Sequence, residues 1–161
     1  QSAGTCLVVL ASILMLSTQT ALADDKSVFG YWKHIDSETG KTQSIFRLWE
    51  YEGKLVGRIV KAFPKPGKKP NTLCTECSGA QKDKPVVGLI FFWSFVRDKD
   101  EPNKWVDGKI LNPEDGRTYN AEAELSADGK TLNVFGYIRV LVKLGGTSVW
   151  QRPTPEELRG F

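Results

Sequence analysis

The sequence predicts an all-β domain, a single up-and-down antiparallel β-barrel of about eight strands. Three observations point to it: eight short apolar or alternating runs, turn-forming connectors between nearly all of them, and no amphipathic helical pattern of three turns. Short connectors permit only antiparallel neighbours, because a parallel return needs a crossover of about a dozen residues or more. A meander of this size keeps two exposed edges unless it closes on itself. Closure around about eight strands leaves an interior that side chains fill, or that they share with one small ligand.

The expected strands are Phe29 to His34, Ser44 to Tyr51, Lys54 to Phe63, Val86 to Arg97, Lys104 to Leu111, Thr118 to Leu125, Thr131 to Leu141 and Thr147 to Arg152. Between them lie DSETGK, EGK, DEPNK, NPEDGR, SADGK and GG, each supplying residues that reverse the backbone or take positive φ. The run TYNAEAEL alternates, with Tyr119, Ala121, Ala123 and Leu125 on one face and polar residues on the other, so that strand has one wet side. In VVGLIFFWSFV, Val87, Leu89, Phe91, Trp93 and Phe95 share one face and Val86, Ile90, Phe92 and Val96 the other, so both sides need cover. At the C-terminus TPEEL is suited to one helical turn, with Thr154 as cap and Pro155 at the first helical position.

The chain opens with an apolar run, Cys6 to Leu16, followed by polar Ser17 to Thr20 and then ALADD. This is the pattern of a secretory signal peptide, with cleavage expected after Ala23; the run is too short to span a bilayer. Residues 1–23 are therefore expected to be the leader and residues 24–161 the barrel domain, with the protein periplasmic, in a Gram-negative bacterium, or secreted. No transmembrane segment is expected in the mature chain. The leader has no charged residue, so the net charge of +3 belongs to the remainder. Lysines concentrate in and around the one long connector, Pro64 to Pro85, where Lys65, Lys68 and Lys69 form a candidate contact for an anionic envelope component.

The long connector also holds Cys74 and Cys77. Zinc needs two further ligands, and the only His, His34, lies far off in the chain. A thioredoxin-type couple needs its first cysteine at a helix N-terminus, and Ser78, Gly79 and Ala80 begin no helical pattern. An exported chain with only these two thiols after leader removal is expected to oxidise them, giving a local disulfide that pins the connector. Catalytic sets are thin: no nucleophile motif, phosphate loop or metal-ligand spacing occurs, and Glu114 and Asp115 in NPEDG are explained by turn chemistry. No catalytic residue, metal, cofactor or nucleic-acid partner is therefore expected.

The first and last strands carry Gly30-Tyr31-Trp32 and Trp150-Gln151-Arg152. In a closed barrel these strands are neighbours, bringing Arg152 towards the indole of Trp32. The arrangement resembles the Gly-x-Trp and terminal-Arg closure of the lipocalin and fatty-acid-binding barrels, which implies a structural latch formed by Gly30, Trp32, Trp150 and Arg152. A wider pattern, Gly108, Ile110, Pro113, Gly116, Tyr119, Gly136, Tyr137, Trp150 and Arg152, resembles the C-terminal signature of the exported bacterial family called domain of unknown function 2147. Gly53-Lys54-Leu55 and the Cys74 to Gly79 loop match as well. The chain departs from that pattern at Gly146, where a basic residue is expected.

The function these features predict is non-enzymatic: an exported, lipocalin-like barrel that binds a small or extended ligand. Candidate lining residues are Phe46, Trp49, Tyr51, Phe91, Trp93 and Tyr137. The alternative is an envelope interaction protein that uses the basic, disulfide-pinned loop and has a solid interior.

Overall fold

Each apolar run pairs with its neighbour in sequence, and the last pairs with the first. The computed structural model describes residues 26–64, 67, 72–139 and 142–159. Its strands are β1 (Gly30–Ile35), β2 (Thr42–Tyr51), β3 (Lys54–Ala62), β4 (Ile90–Arg97), β5 (Lys104–Asn112), β6 (Arg117–Leu125), β7 (Thr131–Arg139) and β8 (Lys143–Gln151). They form one closed antiparallel barrel in the order β1 to β8. Among the described residues, one 3-10 turn, Gly79–Gln81, lies in the long β3–β4 connection. The expected leader with Cys6, and Lys65, Lys68 and Lys69, lie outside the described residues.

The seams are unequal. β7 and β8 pair over their whole length, from Thr131↔Gln151 to Arg139↔Lys143. β1 meets β8 only at Lys33↔Gln151 and His34↔Trp150. Above that contact β8 has β7 on one side and no paired strand on the other, so the β7–β8 hairpin extends beyond the closed wall.

Two expectations need correction. The β7–β8 turn is not at Gly145-Gly146, because both glycines lie inside β8 and the connection is residues 140–142. The glycine at 145 is required by close approach, since a Cβ there would collide with the Gly136 carbonyl. Strict alternation also fails in β4. Register shifts against β3 separate Leu55↔Phe95, Gly57↔Phe92 and Arg58↔Ile90, and Ser94 has φ 67°. These bulges turn Phe91, Phe92 and Phe95 all into the core. Residues 86–89 precede the strand and bond to β3 irregularly, Gly88 N–H donating to the Ile59 carbonyl at 2.7 Å.

The core is densest at the end that holds the β2–β3, β4–β5 and β6–β7 turns. Phe92 and Phe95 stack with centroids 3.7 Å apart, and Gly108 admits the Phe95 ring where any Cβ would overlap it. Trp32, Leu48, Leu55, Leu125 and Leu132 complete this layer.

Arg152 closes the same end. Its guanidinium carbon lies 3.8 Å from the Trp32 ring centroid, and Nη1 donates to the Phe29 carbonyl at 3.1 Å. The Trp32 indole N–H donates to the Val28 carbonyl at 2.9 Å. Gly30, at φ 103°, passes beside the guanidinium. The latch thus consists of Gly30, Trp32 and Arg152, while the side chain of Trp150 serves elsewhere.

Residues 154–159 form one capped turn, the single turn expected there. Thr154 N–H donates to Glu157 Oε2 at 2.7 Å and Glu157 N–H to Thr154 Oγ1 at 3.3 Å, a reciprocal capping box. Glu157 also accepts from Lys33 Nζ at 2.9 Å and from Thr42 Oγ1 at 2.9 Å, which ties the turn to the outside of β1 and β2. Burial raises the carboxyl, but hydrogen bonds from Lys33, the Thr154 amide and Thr42 outweigh it and hold the pKa at about 2.

Candidate functional site

The other half of the barrel is hollow. A cavity of about 790 Å³ opens at the end that carries the β1–β2, β3–β4, β5–β6 and β7–β8 connections. That volume lies within the range of pockets that enclose small organic ligands.

Its floor is aromatic. Phe46 from β2 lies 4.4 Å from Phe91 and 4.6 Å from Trp150, centroid to centroid. All three are buried, and Phe92 beneath them lies 5.6 Å from Trp150, so the floor rests on the packed layer. The Trp150 indole N–H donates to Ser148 Oγ at 3.0 Å, which satisfies its one polar atom without a ligand. Ile59, Ile110 and Val134 form walls. At Gly146 a Cβ would meet nothing within 4 Å, so the position where the family pattern leads one to expect a basic residue faces open cavity here.

The rim is polar. Asp36 accepts from the amides of Glu38 at 3.1 Å and Thr39 at 2.8 Å, fixing the β1–β2 turn, and Gln43 Nε2 donates to its other oxygen. On β6 the Tyr119 hydroxyl donates to Asp115 Oδ2 at 2.6 Å; that bond, with burial and the carboxylate charge, raises the Tyr119 pKa. His34 and Ser44 also line the upper cavity.

Cys74 and Cys77 form a disulfide, and both are buried at one side of this mouth. The loop closes on itself through the Leu73↔Pro85 bridge and the bond from Cys74 N–H to the Lys84 carbonyl at 2.8 Å. It then docks on the β5–β6 turn. Cys74 Sγ lies 3.8 Å from the Pro113 carbonyl oxygen, and Gly116, at φ 68°, sits where any Cβ would collide with the Glu76 carbonyl. Pro113 and Gly116 of NPEDG thus form the seat of the clasp.

Of the six expected lining residues, Phe46 and Phe91 line the cavity. Trp49 does not: it lies among the outward positions of β2, with the Arg58 guanidinium 5.8 Å from its ring. Tyr51 is 60% exposed beside the β2–β3 turn. Trp93 packs against the core off the lining, where the β4 bulges leave it paired with Lys109. Tyr137 is buried on the outer face, stacked on Phe135 at 5.4 Å, with Lys143 Nζ 4.8 Å from its ring. A one-residue difference in register moves a side chain to the opposite face of a sheet, which is why aromatic content alone misassigns these four.

Sequence reasoning missed Trp150, Ile59, Ile110 and Val134 as lining. Period two in β7 carries a signal for Val134, whereas the terminal-strand pattern points Trp150 to the latch. Among the described residues no group of three or more metal-ligating side chains converges.

The fold has a counterpart among solved structures: a protein described as "Protein HP1028 from the human pathogen Helicobacter pylori belongs to the lipocalin family". It is 20% identical, with 81% of this chain and 86% of that chain covered and a TM-score of 0.65. No curated protein matches the sequence. The family model described as "Uncharacterized protein conserved in bacteria (DUF2147)" matches residues 30–152, from the first glycine of the latch to its arginine, and the chain belongs to that family.

Proposed function

We propose that this protein is an exported, non-enzymatic carrier that takes one small, largely apolar molecule into the open half of the barrel. The observation that carries the reading is the 790 Å³ cavity with its floor of Phe46, Phe91 and Trp150. Apolar walls with polar groups confined mostly to the rim suit a ligand whose body is buried and whose polar end stays near the mouth. The cavity also favours this reading over the envelope-contact alternative, which assumed a solid interior.

The test uses a neutral fluorescent probe, N-phenyl-1-naphthylamine. Saturable uptake with energy transfer from tryptophan is expected for the wild type. Gly146→Phe should abolish it, because the new ring enters open space and occupies the cavity without displacing backbone. Saturable uptake that persists in the folded Gly146→Phe variant would place the probe elsewhere and sink the proposal. Native mass spectrometry of the protein from its own periplasm then identifies any natural cargo. Export is checked by N-terminal sequencing, which should begin at Asp24.

A further inference from the structure

The sequence that links β7 to β8 has none of the polar turn residues that close the other hairpins. Its strands end at the pair Arg139↔Lys143, and the connection reads Val140-Leu141-Val142. From Phe135 to Trp150 the sequence contains no Asp or Glu.

The exposed side chains of Ile138, Val142 and Leu144 form an apolar lip. Ile138 and Leu144 are cross-strand partners, two residues beyond the cavity-lining pair Gly136↔Gly146 and on the same face. At a rise of about 3.4 Å per residue they stand roughly 7 Å above that pair, over the mouth. They are 49% and 55% exposed, and Val142 at the tip is 61% exposed. Val87, on the opposite rim, is 52% exposed. β8 has no strand pairing above the β1 seam and β7 pairs with β6 only as far as Tyr137, so the last pairs, Ile138↔Leu144 and Arg139↔Lys143, lie beyond the barrel wall. Arg139 and Lys143 flank the tip, Lys143 reaching back to Glu122.

We infer that the β7–β8 hairpin docks the mouth of the barrel on a lipid surface bearing anionic headgroups. Val142, Ile138 and Leu144 enter the headgroup–acyl boundary while Arg139 meets the headgroups, the division of labour of an interfacial anchor. An apolar lip would also let a cargo pass between bilayer and cavity without crossing water, although docking itself does not require a filled cavity.

The experiment is vesicle co-sedimentation of the intact protein, comparing phosphatidylcholine with phosphatidylcholine–phosphatidylglycerol mixtures. The wild type should sediment with the anionic vesicles and lose binding as salt rises. Val142→Asp combined with Leu144→Asp should lower partitioning about thirtyfold or more, since two partly inserted aliphatic groups are replaced by charges. Val142→Asp alone, at the exposed tip, should still lower it about fivefold or more and protects the test against misfolding of the double variant. Failure of the wild type to bind anionic vesicles, or undiminished binding by the folded variants, overturns the inference. So does a wild-type dimer that the variants convert to monomer without any vesicle binding, which would make the tip a self-association face.

Discussion

The two halves of this barrel use the same strands for opposite ends. Below Phe46, Phe91 and Trp150, the Phe92–Phe95 stack and the glycines at 57 and 108 leave no room for a guest. Above them, a Cβ at Gly146 would meet nothing within 4 Å and the side chains thin out. Glycine thus has two meanings here: at 108 it makes room for a ring of the protein itself, and at 146 it leaves room for something else.

The sharpest way to break the comparison is to truncate one aromatic residue from each half. Phe92→Ala should cost about 3–5 kcal/mol in urea unfolding, because a fully buried ring leaves a void that its neighbours cannot fill. Phe46→Ala should cost about half as much, since its ring already borders empty volume, and should instead weaken probe uptake. Equal losses would show that the halves do not differ energetically.

Arg152→Ala comes next. It removes the stacking on Trp32 and the donors to backbone carbonyls at the closed end, and should cost about 2–3 kcal/mol while leaving probe uptake unchanged. Gly116→Ala, at the open end, should cost about 1–2 kcal/mol by forcing a Cβ into the Glu76 carbonyl at positive φ. Limited proteolysis should then cut within residues 72–86 before the barrel itself unfolds. An intact, protected loop in that variant would show that the clasp does not depend on its seat.

The smallest expected effect is electrostatic and lies on the outside. Glu157 has its pKa lowered from 4.5 to about 2 in the folded state. A depressed carboxyl stabilises the fold above its unfolded pKa and loses that contribution as pH falls through the folded one. About 1 kcal/mol, discounted for solvent contact, should therefore disappear between about pH 4.5 and 2, and Glu157→Gln should remove the dependence. An unchanged acid profile in Glu157→Gln would assign the acid sensitivity to other carboxylates.

Chain order and parity explain what was legible. TYNAEAEL and the first half of TLNVFGYIRVL are regular, so their faces follow from alternation, and Val134 and Tyr137 fall on opposite sides as period two requires. In VVGLIFFWSFV the bulges break the period, and no residue type in that run announces where an extra residue will be accommodated. The Gly145-Gly146 pair looked like a turn because its composition is that of a turn. The demand for a bare backbone there comes from β7 across the sheet, a long-range contact that local chemistry does not reveal.

The sequence by itself determined the all-β class, the antiparallel order, the strand count and the approach of Arg152 to Trp32. Each of these depends on local turn chemistry, on chain order, or on residues brought together by closure alone. Only the tertiary structure decided that the interior is half full, that Trp150 is floor rather than latch, and that the clasp sits on Pro113 and Gly116. These depend on the register of each strand against its neighbours and on the volume left when side chains from all eight strands meet, and neither quantity belongs to any one segment.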